Sequence, residues 1–261
     1  MSKSPSDERT VPEEHVVLVA DLEPRSTVLM ATLGGVAGGI GIPRFEFMRM
    51  ASDLGVKTVF VRDPTQSWYH GKLRGIGRGL NGVARTIEAI VARERVERTV
   101  VVGNSMGGFA ALIVGSLIGA NEVHAFSPTT FIGPVGRLRH RDQRWRRQIL
   151  RAYRLSLCSP KYFDVMPVLT GCTESTRFHV HYSTEDPLDV VHAERLAGVA
   201  GVELHAYAHG GHLLVKHLRD SGLLASILRS ALFEEERDPA TRPGRPEDTP
   251  RLLQIPTEEA A

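Results

Sequence analysis

Short runs of apolar and β-branched residues alternate with longer segments of helical periodicity along most of this chain. The runs at residues 15–20, 27–33, 57–61, 98–102, 122–125, 178–182 and 202–207 are each four to seven residues long. That length and composition predicts strands buried on both faces. Between them, residues 44–54, 80–95, 106–118, 188–199 and 213–232 repeat apolar positions every three to four residues and are predicted to be helices. Strand and helix in alternation predict an α/β fold, with a mostly parallel central sheet flanked by helices.

One stretch breaks the alternation. Residues 128–175, nearly fifty in all, show no strand pattern and hold a dense run of arginines, and are predicted to form a small helical cap inserted into a single domain spanning 14–235. Residues 1–13 and 236–261 are rich in charge or proline with little to bury, and are predicted to be a disordered leader and tail. No internal repeat is found.

The sharpest local signal is Gly103-Asn104-Ser105-Met106-Gly107, which follows an apolar strand and opens a helix of small residues. A strand that reverses at once into a helix forces the residue at the turn into a strained conformation and crowds its neighbours, so glycine is needed on either side. The serine hydroxyl is then held at a helix N-terminus, where negative charge developing on a reacting carbonyl is stabilised. Ser105 is accordingly the candidate nucleophile, a capping serine in a tight turn being the plain alternative.

A serine hydroxyl needs a histidine to take its proton and a carboxylate to orient that histidine, and after an elbow of this form the acid precedes the histidine in the chain. The stretch 178–189 runs from a strand into Glu185-Asp186-Pro187-Leu188-Asp189. Asp186, just past the strand end and before a proline suited to the first helical turn, is the preferred acid. Glu185 and Asp189 compete with it, and all three could be no more than an acidic helix start. Further on, His209-Gly210-Gly211-His212 follows the last strand. The two glycines would let the loop bring His212 to the elbow, which makes it the preferred base; His209 is read as solvent-facing or pocket-lining.

With elbow, acid and histidine in that order, the chain resembles the α/β-hydrolase superfamily over residues 14–232. The resemblance implies a triad of Ser105, His212 and Asp186 acting on a carboxylic ester or thioester through an acyl-enzyme, with no metal or organic cofactor. It also implies an oxyanion hole made by the N–H of Met106 and a second N–H, from Gly35 or Val36, in the glycine-rich loop that follows an early strand. That loop begins Leu33-Gly34 where the family usually has His-Gly. It contains no G-x-G-x-x-G and no Walker lysine, which argues against nucleotide binding.

Two further clusters bear on substrate. Trp68 and Tyr69 sit in a loop after a strand and are predicted either to line the substrate pocket or to pack in the core. Arg137, Arg139, Arg141, Arg144, Arg146, Arg147, Arg151 and Arg154 interleave with Trp145, Ile149, Leu150 and Tyr153. They suggest either a solvated basic helix or recognition of an anionic part of a small-molecule, acyl or glycan-type substrate.

Composition narrows the remaining classes. The net charge of +2 over 261 residues gives no general case for nucleic acid. Nothing approaches the roughly 20 apolar residues of a membrane span, and the polar, acidic start lacks a secretory pattern, so a soluble cytoplasmic protein is expected. Cys158 and Cys172 have neither metal-knuckle nor redox spacing and are expected to be free thiols. An acyltransferase, or a hydrolase-like module that binds without catalysis, are the alternatives to a hydrolase. Oligomeric state has no signature here.

Overall fold

The protein was analysed as a computed structural model that describes residues 16–36, 47, 50, 52–156, 160–172 and 175–233. The predicted leader and tail, Cys158, and most of the helix expected at 44–54 lie outside the described residues. Of that helix, Ser52–Leu54 is seen as a single 3-10 turn.

The elements are, in chain order, β1 (Leu18–Asp21), β2 (Val28–Leu33), β3 (Lys57–Val61), β4 (Lys72–Leu73), β5 (Gly77–Arg78), α1 (Gly79–Glu94), β6 (Arg98–Asn104), α2 (Met106–Ile118) and β7 (Glu122–Phe126). There follow α3 (Pro134–Arg139), α4 (Arg146–Leu155), α5 (Met166–Thr170), β8 (Arg177–Ser183), α6 (Pro187–Glu194), β9 (Val202–Tyr207), α7 (Leu214–Asp220) and α8 (Leu223–Phe233). Seven strands form one sheet in the order β1-β3-β2-β6-β7-β8-β9. Every pairing is parallel except β1 with β3. β4 and β5 form a separate two-stranded ribbon that the periodicity did not show.

Two hydrophobic clusters cover the two faces of the sheet. One holds α1 and α2 against Leu29, Ala31, Val59, Val101, Val123 and Val180. The other holds α7 and α8 against Met30, Phe60, Val100, Val102 and Phe126. Strands sandwiched in this way read as continuous apolar runs, which is why they were legible. α2 is buried from Met106 through Gly115, as expected of a helix that is apolar all round. The single helix expected over 213–232 is instead two, α7 and α8, because Gly222 adopts φ 79° between them.

The stretch between β7 and β8 is helical, made of α3, α4, a 3-10 turn at Pro160–Tyr162, and α5. Its one strand-like contact among the described residues is a bridge between Phe131 and Asp164. Among the described residues, no helix is long and apolar enough to cross a membrane.

Candidate active site

β6 lies near the middle of the sheet, and its carboxyl end delivers Ser105 into the crevice where open α/β sheets bind ligands. Ser105 has φ 54° and ψ −113°, and its N–H donates to the Phe126 carbonyl at 2.9 Å. A non-glycine residue held there is strained, and the packing around it leaves no room to relax. A Cβ on Gly103 would lie 2.1 Å from the Gly107 carbonyl oxygen. One on Gly107 would lie 2.0 Å from that of Leu33.

The histidine arrives from the other end of the sheet. After β9 the chain turns through Gly210 at φ 112° and Gly211 at φ 50°, both left-handed, into a 3-10 turn carrying His212. His212 Nε2 is 3.0 Å from Ser105 Oγ. His209 does not take part. It pairs with Glu185 at 2.9 Å, and Glu185 also accepts from the Gly210 N–H at 3.0 Å, so the two residues tie the glycine turn to the end of β8.

The acid differs from the expectation. Asp189, not Asp186, faces the imidazole, with carboxylate oxygens 2.9 and 3.0 Å from His212 Nδ1. Asp186 is the N-cap of α6, where one of its oxygens accepts from the N–H groups of Leu188 and Asp189 at 2.9 and 3.1 Å. Pro187 at the first helical position makes the preceding residue a cap, which commits its carboxylate to the helix end. The third helical residue, Asp189, projects from the first turn toward the elbow. The Asp-Pro-x-Asp spacing was the signal that could have found it.

The helical stretch between β7 and β8 adds two side chains, Arg144 and Trp145, that the sequence did not assign to the site. Arg144 Nη1 donates to Asp189 at 2.8 Å, and the same guanidinium contacts Asp142 at 3.3 Å. Asp142 in turn meets Nε2 of the fully buried His192 at 3.1 Å, and His192 Nδ1 accepts from the Thr130 N–H at 3.0 Å. Trp145 flanks the imidazole of His212, with ring centroids 6.4 Å apart. Burial works against ionisation of Asp189, but the His212 hydrogen bond and charge, then those of Arg144, hold its pKa below the ordinary value. Asp142 is lowered in the same way, with His192 and Arg144 outweighing burial.

Arg144 therefore spends its charge on two buried carboxylates, and Arg137 donates to the Arg144 carbonyl. Arg151 bonds the Thr65 carbonyl. Any anion-binding surface of the insertion has to come from exposed residues such as Arg139, Arg141, Arg146, Arg147 and Arg154.

Replacing Arg144 with methionine is expected to destabilise the fold by roughly 3 kcal/mol at neutral pH, since it strands two buried carboxylates. The pH dependence has a defined sign. Carboxyls with depressed folded pKa values stabilise above their unfolded pKa and lose that contribution as pH falls through the folded value. Raising the folded values of Asp142 and Asp189 makes the loss begin at higher pH. Urea unfolding followed from pH 7 down to pH 3 measures both effects, and a variant whose acid limb coincides with wild type contradicts the assignment.

Of the two outcomes expected for Trp68 and Tyr69, the structure shows packing in the core: Tyr69 borders one small cavity, but neither residue lines a described cavity that contains Ser105 or His212. Both are fully buried in the core. The Tyr69 hydroxyl donates to the carbonyls of Gly34 and Val61 at 2.9 and 3.1 Å. Asp63 organises their loop, accepting from the N–H groups of Thr65, Ser67 and Tyr69 at 2.6 to 2.9 Å. A cavity of about 210 Å³ beside Tyr69 and His70 includes neither Ser105 nor His212, and neither does a cleft of about 770 Å³ between β1 and α1.

Met106 opens α2, so its N–H is one of the first-turn amides that a helix cannot use internally. The end of β2 packs against the elbow, with the Gly34 carbonyl carbon 2.9 Å from where a Gly107 Cβ would stand, and that carbon bears the Gly35 nitrogen. Asp186, Asp189 and His212 approach closely enough to hold a metal ion. Arg144 occupies the same carboxylate, and its charge disfavours a second cation there.

No family model and no curated protein matches the sequence, but solved structures match the fold. The capsule O-acetyltransferase of Neisseria meningitidis serogroup A is similar with a TM-score of 0.58 at 14% identity, over 80% of this chain and 90% of that one. A lipase-esterase related protein from Clostridium acetobutylicum is similar with a TM-score of 0.54 at 14% identity, over 82% and 98% of the two chains. The fluorophosphonate-binding serine hydrolase F of Staphylococcus aureus gives a TM-score of 0.54 at 14% identity, over 76% and 82%. The chain has the α/β-hydrolase fold. The helical stretch between β7 and β8 supplies Arg144 and Trp145.

Proposed function

We propose that the chain is a serine hydrolase acting on a carboxylic ester or thioester. The observation that carries this reading is the continuous chain from Ser105 Oγ to His212 Nε2 at 3.0 Å and from His212 Nδ1 to Asp189 at 2.9 Å, set on a strained elbow at the carboxyl end of the sheet. His212 takes the hydroxyl proton as Ser105 Oγ attacks the carbonyl carbon. Asp189 holds the imidazole with its proton on Nδ1 and stabilises the imidazolium that forms. The tetrahedral oxyanion is held by the Met106 N–H and one from Gly35 or Val36. His212 returns the proton to the leaving alcohol or thiol, and water, deprotonated in turn by His212, releases the acid and regenerates Ser105. No metal or organic cofactor enters these steps.

Acyl transfer is the second reading, favoured by the fold shared with the capsule O-acetyltransferase. It differs only in that an alcohol replaces water in the last step. The partition of the acyl group between water and added alcohols distinguishes the two.

A fluorophosphonate probe tests the proposal, since it phosphonylates only an activated serine. Wild-type protein is expected to label with one equivalent, and Ser105→Ala not to label at all. Absence of labelling in a folded wild-type sample would leave the fold as a non-catalytic binding module.

A further inference from the structure

The face of the sheet under α8 carries an unusual density of imidazole and carboxylate. Alternate residues of three neighbouring strands point to it: Glu122 and His124 of β7, His179 and His181 of β8, Glu203 and His205 of β9. The register sets His124 beside His179, His179 beside Glu203, and His181 beside His205. Part of this array is a closed hydrogen-bonded chain. Glu122 meets His124 Nε2 at 3.1 Å, His124 Nδ1 meets His181 Nε2 at 3.1 Å, and His181 Nδ1 meets the Tyr207 hydroxyl at 3.1 Å. Burial, then the neighbouring histidines, pushes His181 well below the ordinary imidazole pKa, so the chain runs through a neutral ring.

The outer end has a different geometry. His179 Nδ1 and His205 Nε2 are 3.0 Å apart, Glu203 Oε2 is 3.5 Å from the first, and Glu203 Oε1 is 3.7 Å from the second. We propose that His179, Glu203 and His205 bind one divalent transition cation of the zinc class, with solvent completing its coordination. Ligands at about 2.0–2.2 Å from a tetrahedral zinc stand about 3.3–3.6 Å apart, and two imidazoles with one carboxylate are a donor set that such an ion takes. The three observed separations bracket that range. Access is open, since the Glu203 side chain is 60% exposed and that of His205 29%, while His179 is buried.

The inner side completes the arrangement. Binding at His179 Nδ1 requires any proton there to move to Nε2 of the same ring, which lies 3.8 Å from a Glu122 oxygen that also meets His124, so the two must close by several tenths of an ångström before they hydrogen-bond. A carboxylate behind a ligating histidine fixes its tautomer and strengthens it as a donor. Arg98 at 3.0 Å and Arg177 at 2.6 Å flank that carboxylate. Burial opposes its ionisation, but the His124 hydrogen bond, with the charges of His124, His179 and Arg177, brings its pKa down to about 2. The neighbouring trio of Glu122, His124 and His179 is the weaker candidate. The rings of His124 and His179 are stacked 4.6 Å apart at 15°, so their lone pairs run side by side rather than converging.

Among the described residues, β9 pairs only with β8, and it leads into the turn that carries His212. A cation across β8 and β9 therefore pins the outermost strand, independently of any chemistry at Ser105.

Titration of chelator-stripped full-length protein with Co²⁺ and Zn²⁺ tests this. One equivalent of Co²⁺ is expected to bind with the visible ligand-field bands of nitrogen and oxygen ligation, Zn²⁺ should displace it, and both should raise the melting temperature. His205→Ala and Glu203→Gln alter partly exposed side chains and should fold; each is expected to weaken binding at least tenfold and to abolish the thermal shift. His212→Ala should bind as wild type does. The proposal is overturned if no saturable binding occurs, if both edge variants bind undiminished, or if binding disappears in His212→Ala.

Discussion

Asp189→Asn is expected to leave the protein folded and to lower kcat for ester hydrolysis by about 10⁴-fold, the loss seen when a triad aspartate is made an asparagine. Asp186→Asn should cost less than about tenfold. The difference follows from what surrounds each carboxylate. At position 189, the Arg144 guanidinium donates to one oxygen while His212 Nδ1 faces both. In the asparagine variant Arg144 selects the amide oxygen, which turns the amide NH₂ toward His212. An NH₂ can only donate, so the imidazole is driven to carry its proton on Nε2, where it can no longer accept one from Ser105. At position 186, an asparagine oxygen still caps Leu188 and Asp189, and asparagine is as good a cap as aspartate. Steady-state rates of the two purified variants on an activated ester decide the matter. Equal losses at both positions, or a larger loss at 186, would return the acid's role to the residue nearer the strand.

How far the sequence could be read depended on whether a feature is local. The inner strands β2, β3, β6, β7 and β8 show themselves because each is almost wholly buried, whereas the edge strands β1 and β9 are only partly covered; the strand ends differ from expectation by up to three residues, the most at the start of β1. The antiparallel setting of β1 leaves no mark on its own residues, since it is fixed by its partner β3. Ser105 and His212 announce themselves through glycines whose absence of Cβ the backbone requires, and the structure brings them to 3.0 Å. The choice between Asp186 and Asp189 turned on which carboxylate the helix end would consume, a question that Pro187 already answers. Trp68 and Tyr69 looked like pocket residues because they lie in a loop, yet Asp63 folds that loop inward around its own N–H groups. Arg144 was one arginine among eight, and only the tertiary path of the insertion shows that it alone reaches Asp189. The histidine array was not read from the sequence, although β7, β8 and β9 carry polar residues at a period of two. Its meaning depends on three strands lining up side by side, which no single segment can reveal.

Gly107→Ala is expected to destabilise the protein by more than about 4 kcal/mol, enough to prevent most of it from accumulating as folded material, given total stabilities of about 5–15 kcal/mol. The added methyl would stand 2.0 Å from the Leu33 carbonyl oxygen, 2.8 Å from its carbon and 2.9 Å from the Gly34 carbonyl carbon. All three are backbone atoms. Leu33 is also held in the centre of the sheet, its strand paired with β3 on one side and β6 on the other, so the clash cannot be relieved by a rotamer change. Relief would need β2 to part from the elbow, which would move the Gly35 and Val36 amides away from Ser105 as well. Gly133→Ala is the matched control: its φ is −60°, the nearest atom to its Cβ would be Phe163 Cβ at an ordinary 3.7 Å, and the change should stay within about 1 kcal/mol. Soluble yield and urea midpoints of the two variants measure the contrast. A Gly107→Ala protein that unfolds at the wild-type midpoint would mean that β2 does not press on the elbow, and with that the case for an oxyanion hole between the two elements would fall.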